Sequence, residues 1–132
     1  MTPVPAAPRR RRRGKAIAIV AALLLVPVIA FGLYTFVALN WSYADGERAG
    51  VLQKFSRKGW VCKTWEGELA MTTVPGVAPE LWAFTVRDDR VARQINASLG
   101  KRVSLHYREH LGVPTTCFGQ TPYHVDALRP LP

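Results

Sequence analysis

The strongest constraint in this chain is an apolar segment, residues 16–39, that holds no charged side chain. Its polar content is limited to Tyr34 and Thr35. An uncharged run of more than about 18 residues has the make-up of a transmembrane helix. At about 1.5 Å per residue the segment reaches about 36 Å, enough to cross about 30 Å of hydrocarbon with some tilt. Pro27 lies mid-way, where lipid-spanning helices tolerate a kink. Trp41 and Tyr43 follow at once, and amphipathic rings favour the membrane interface.

Arg9, Arg10, Arg11, Arg12, Arg13 and Lys15 precede the segment with no acid among them. By the positive-inside rule they keep the N-terminus cytoplasmic and send the remainder out. In a bacterium that remainder is periplasmic, in an inner-membrane protein with a single span. A cleaved signal peptide has the same basic start, but its apolar core is usually about 7–15 residues. Arg12-Arg13-Gly14-Lys15 also matches a twin-arginine signal weakly. The expected division is a disordered basic stub over 1–15, a transmembrane helix over 16–39, a linker over 40–46 and an extracytoplasmic domain over 47–130.

The 132 residues carry a formal charge of +9, but it is unevenly placed. From Trp41 onward twelve basic residues face nine acidic ones, a surplus of only +3. That is not the footprint of a nucleic-acid-binding domain. The length leaves room for one modest core and excludes two-domain enzymes.

The outer part reads as five strands and one helix. Residues 47–56 form a first strand with Val51 and Phe55 inward, and Gly50 suggests a bulge or a close backbone approach. Arg57-Lys58-Gly59 turns into a second strand over 60–72, where Gly67 suggests another bulge. Thr73-Val74-Pro75-Gly76 reads as a turn. Residues 81–87 alternate cleanly, with Trp82, Phe84 and Val86 on one face. Residues 88–99 read as a helix capped by Asp88, with Val91, Ala92, Ile95 and Leu99 inward and Gly100 at its end. A fourth strand covers 101–109, with Val103, Leu105 and Tyr107 sharing a face. After a loop over 110–122, a fifth covers 123–128, with Tyr123, Val125 and Ala127 alternating. The order β-β-β-α-β-β is that of an OB-fold, a five-stranded partly open barrel. Another small curled sheet with one helix has the same order.

Cys62 opens the second strand and Cys117 lies in the loop between strands four and five. In an OB-fold those two loops share one end of the barrel. An oxidising compartment then favours a Cys62–Cys117 disulfide over two buried thiols.

Chemistry is sparse. His106, His110 and His124 suggest a metal, but residues four apart on a strand are about 13 Å apart, so surface histidines are expected. Ser98 and Ser104 lack a nucleophile elbow. Glu66 and Glu68 are a carboxylate pair only if Gly67 does not separate them. No cofactor motif is present, and no catalysis is expected. More suggestive are Arg57, Lys58, Trp60, Lys63 and Trp65 on the 1–2 loop and second strand, with Trp82 on the third. OB-folds bind ligands there. Cations and aromatic rings suit a glycan, an anionic lipid head group or a peptide, unless the tryptophans fill the core.

Four stretches carry a resemblance. They are Tyr43-Ala44-Asp45-Gly46-Glu47-Arg48-Ala49-Gly50, Phe55-Ser56-Arg57-Lys58-Gly59-Trp60, Lys63-Thr64-Trp65-Glu66-Gly67-Glu68-Leu69 and Gly100-Lys101-Arg102-Val103-Ser104-Leu105-His106-Tyr107. They are similar to an uncharacterised bacterial family of small single-pass membrane proteins, often labelled 6-phosphogluconate dehydrogenase. The resemblance implies no site residues. The chain argues against the label, having no Gly-x-Gly-x-x-Gly turn and too little length for that enzyme. The expectation is a membrane-anchored envelope module that binds a ligand or a protein partner, or an accessory subunit of a larger complex. An enzyme would need a cofactor or partner outside this chain.

Overall fold

The computed structural model describes residues 2–5, 9–71 and 75–132. It contains two compact units, residues 1–36 and 37–132. The first holds most of a 32-residue helix, α1 (Arg9–Asn40), with Pro27 inside it. Mid-helix, Leu23, Leu24, Val28, Ile29 and Phe31 are all more than half exposed. The helix is long and apolar enough to cross a membrane. It starts earlier than the apolar segment, because arginine and lysine are good helix formers. The expected disorder therefore fails over residues 9–15, which are helical. Met1 and residues 6–8 lie outside the described residues.

The second unit is a sheet of five strands: β1 (Ala44–Lys58), β2 (Thr64–Met71), β3 (Glu80–Val86), β4 (Arg102–Glu109) and β5 (Tyr123–Pro130). A second helix, α2 (Asp89–Ala97), lies between β3 and β4. The strands close on themselves in the order β1-β2-β3-β5-β4, with β1 also paired to β4. Every pairing is antiparallel except β3 with β5, which meet in parallel at Thr85 and His124.

β1 is long because it serves two neighbours. Ala44 to Val51 pair with β4, and Val51 to Lys58 pair with β2. It absorbs residues 44–46 of the expected linker and α1 takes Asn40, so only residues 41–43 separate α1 from the sheet. The pairing slips between Leu52 and Lys54, which leaves Gln53 as the extra residue of a bulge. A bulge shifts the strand's alternation by one. Leu52 is therefore the fully buried residue and Val51 is not, while Phe55 still packs on the core. The glycines act by close approach rather than by bulging. A Cβ on Gly50 would lie 2.4 Å from the Ala70 carbonyl oxygen, and one on Gly67 would lie 2.5 Å from the Phe84 ring.

The interior is filled by Leu52, Leu69, Phe84, Val103, Leu105 and Val125, closed on one side by Val91, Ala92 and Ile95 of α2. Trp82 is core, 5.1 Å from Tyr107 and 5.5 Å from Tyr123 between ring centroids. Asp88 caps α2 by accepting the backbone N–H of Arg90 at 2.8 Å. Two inward expectations fail at the ends. Leu99 lies beyond α2 and is exposed, and Leu128 takes the core contact expected of Ala127. The latter follows from a second slip, between His106 and Tyr107 opposite β5. Of the expected 73–76 turn, Thr73 and Val74 lie outside the described residues, as does Thr72. Gly76 has the positive φ (+87°) that the third position of a type II turn requires.

Candidate functional site

Cys62 and Cys117 form a disulfide, with their Cα atoms 4.8 Å apart. Cys62 does not open β2 as expected; it lies in the loop over 59–63. That loop begins at Gly59, which has a φ of +136° and where a Cβ would collide with the Cys62 carbonyl oxygen. Arg57 and Lys58, expected in the turn, are the last residues of β1. The bond ties this loop to the β4–β5 loop beside a single 3-10 turn (Thr116–Phe118).

The five residues singled out in the sequence separate into three places. Arg57, Lys63 and Trp65 line one shallow cleft of about 160 Å3, together with Arg87, Asp89 and Phe118. Lys58 belongs to another, with Lys54, Glu66 and Glu68. Trp60 projects from the loop, fully exposed, beside an equally exposed Val61.

In the first cleft each ring supports a cation. Trp65 stacks on Phe55 with centroids 5.1 Å apart and planes within 6°. The Arg57 guanidinium lies 5.8 Å from the Trp65 ring, and that of Arg87 5.7 Å from Phe118. The Trp65 indole N–H donates to Asp89 at 3.4 Å. Among the described residues, Arg57, Lys63 and Arg87 make no ion pair. Elsewhere on the sheet two acids are engaged. Asp126 is held by His106 Nδ1 and by Arg108 Nε at 3.2 Å, and Glu47 by Arg129 at 3.4 Å.

Arg87 and Phe118 escaped the sequence reading. Arg87 ends the alternating third strand and looks like solvent-side charge. Phe118 had a signal: it adjoins Cys117, so an anticipated disulfide places it beside the second strand.

Two of the three histidines are not the expected surface residues. His110 and His124 are both 6% exposed, with ring centroids 4.8 Å apart. The Nδ1–H of His110 donates to the carbonyls of Ala38 (3.1 Å) and Trp41 (3.0 Å), which the end of α1 leaves unpaired. Burial, the neighbouring His110 and the Arg87 charge push the His124 imidazole down to about 4, with Thr121 backbone opposing. His106 is part-exposed and committed to Asp126. The described residues hold no cluster of three metal-ligating side chains.

Glu66 and Glu68 do not act as a pair. Glu66 is 6% exposed beneath the β4–β5 loop. Its carboxylate accepts from Thr64 Oγ1 (2.8 Å), Thr85 Oγ1 (2.7 Å) and the Gln120 backbone N–H (2.9 Å). This clamps the loop to the sheet.

The fold and cleft thus define a small closed β domain with a cationic, ring-backed face, following a helix of membrane-spanning length. Residues 41–129 match the model of a domain of unknown function, DUF8785, and the chain belongs to that family. No curated protein and no solved structure matches it.

Proposed function

We propose that this protein is a non-catalytic binding module of the bacterial cell envelope. It is anchored in the inner membrane by α1, with its N-terminus cytoplasmic and an OB-like domain in the periplasm. The anchor and its orientation rest on the uncharged helix and on Arg9 to Arg13 with Lys15 at its start. The OB-like reading is supported by the strand order β1-β2-β3-β5-β4 with a helix between β3 and β4. The disulfide suits an oxidising compartment.

The ligand is anionic. The observation that carries this is the trio Arg57, Lys63 and Arg87, without acid partners, around one cleft. Two of the three lie on aromatic rings, with their N–H edges left for an oxyanion. A neutral glycan fits less well, because Phe55 and Arg57 already occupy the Trp65 ring. Full-length protein in nanodiscs should bind anionic head groups or acidic glycans over neutral ones. Arg57→Ala with Lys63→Ala should lower that affinity at least tenfold. Equal binding of neutral and anionic ligands would overturn the reading.

A second reading, an accessory subunit of a larger envelope complex, is favoured by one feature. Trp60 and Val61 stand fully exposed on a loop fixed by a disulfide. Rigid exposed tryptophans anchor protein interfaces. Purification from native membranes in mild detergent, followed by mass spectrometry, separates the two. A stoichiometric protein lost on Trp60→Ala identifies the subunit, and bound lipid or glycan alone identifies the ligand module.

A further inference from the structure

We propose that a second cleft, between Arg87 and His124, binds a small oxyanion together with one proton. The cleft has about 180 Å3 and is lined by Arg87, Asp88, Arg108, His110, His124 and Asp126. It goes beyond the function proposed above and shares only Arg87 with the Trp65 cleft.

The first observation is an orphan atom. His124 is more than nine-tenths buried, and its Nδ1 has no hydrogen-bond partner among the described residues. Buried polar atoms are nearly always paired, so a lone one in a cleft marks a missing partner. The second is the disposition of charge. Asp88 accepts the Arg90 backbone N–H as the cap of α2. Asp126 is held by His106 and Arg108. His110 has its Nδ1–H committed to the Ala38 and Trp41 carbonyls. That leaves His124 Nδ1 without a hydrogen-bond partner and the Arg87 guanidinium, which lies on the Phe118 ring, without an ion pair among the described residues, both in residues that line the cleft.

A metal ion is a poor occupant, because the two carboxylates of the lining are already engaged and no three metal-ligating side chains cluster among the described residues. An oxyanion suits it. The planar N–H fork of Arg87 matches two oxygens. The bound negative charge then favours protonation of His124, which converts Nδ1 from an empty acceptor into a donor toward the anion. The ligand chemistry is a sulfate-, phosphate- or carboxylate-type group, free or on a lipid head group.

The test uses full-length protein with 15N-labelled histidine in zwitterionic micelles. The probe is sulfate, which does not titrate over the range studied, so any pH dependence belongs to the protein. Sulfate should move the His124 ring nitrogens toward the imidazolium position, and its affinity should rise about tenfold from pH 7.5 to pH 5.5. Arg87→Met, at an exposed position, should weaken binding at least tenfold at both pH values. His124→Gln should flatten the pH dependence. Lys101→Ala, an exposed cation outside both clefts, should change binding less than twofold. The same His124 shift on doping the micelles with phosphatidic acid, without sulfate, assigns the group to a lipid, and a response to sulfate alone assigns it to a free anion. The proposal is overturned if neither probe moves His124, or if affinity is flat with pH in the unmutated protein. It is also overturned if Lys63→Ala, rather than Arg87→Met, abolishes binding, which would place the anion in the Trp65 cleft.

Discussion

His124 and Glu66 show how a single buried polar group governs this domain. With no ligand bound, the His124 ring is held neutral by burial, at about 4 against 6.5 in an unfolded chain. The unfolded state therefore binds more protons between those values, so stability drops as the pH is lowered through them. Full stability should hold above pH 6.5, with progressive loss toward pH 4, to a maximum of about 3 kcal/mol. Thermal unfolding in detergent across pH 7.5 to 4, with His124→Gln as control, checks this. The control should lose much of the slope. Glu66 acts differently, because three donors converge on its carboxylate. Glu66→Ala strands the Thr64 hydroxyl and the Gln120 N–H, leaves Thr85 with Thr121 as its partner, and should cost about 3 kcal/mol. Glu66→Gln, which keeps one acceptor oxygen, should cost less, and proteolysis of the 110–122 loop should report the difference. None of this was visible in the sequence. Strand alternation assigns Glu66 to the outer face, and only the fold brings a loop to cover it.

At the scale of elements, the legible parts were those set by local chemistry. The clean alternation of Trp82, Phe84 and Val86 and the Asp88 cap with its Val91/Ile95 stripe were both readable, because each depends on neighbours in sequence. β1 was readable in place but not in parity. The bulge at Gln53 is imposed by β1 changing partners from β4 to β2, a long-range demand with no glycine to announce it. The candidate face scattered for a related reason. Lys58 and Arg57 are adjacent in sequence and so point to opposite sides of β1. The disulfide was legible only through the strand order, which brought the two loops to one end. Closing its loop should stabilise the domain by about 4 kcal/mol in the chain-entropy model. Cys62→Ser with Cys117→Ser should lower the unfolding temperature accordingly. It should also loosen the Trp65 cleft, seen as greater quenching of Trp65 fluorescence by acrylamide in a Trp60→Phe background.

For the whole molecule, the helix was the most legible element, since its composition alone marks a helix long and apolar enough to cross a membrane. The proposed orientation makes two expected outcomes. A thiol-reactive, membrane-impermeant label should reach a cysteine placed at Ala127 in intact spheroplasts, but one placed at Thr2 only after lysis. Replacing Arg9 to Arg13 with serine should randomise that pattern. Alkylation without reductant should leave Cys62 and Cys117 unlabelled, whereas labelling of both in folded, inserted protein would count against the exported location.

The span between the two cysteines also bears on how the protein matures. On the proposed export route, Cys62 emerges long before Cys117, which is only fifteen residues from Pro132. Until then Cys62 is a solitary thiol in an oxidising space, open to pairing with any other it meets. The native bond can close only once nearly all of the domain has been delivered and β4 and β5 have met. A chain that stalls in translocation is therefore chemically distinct from a finished one, carrying a reactive sulfur that the finished protein lacks.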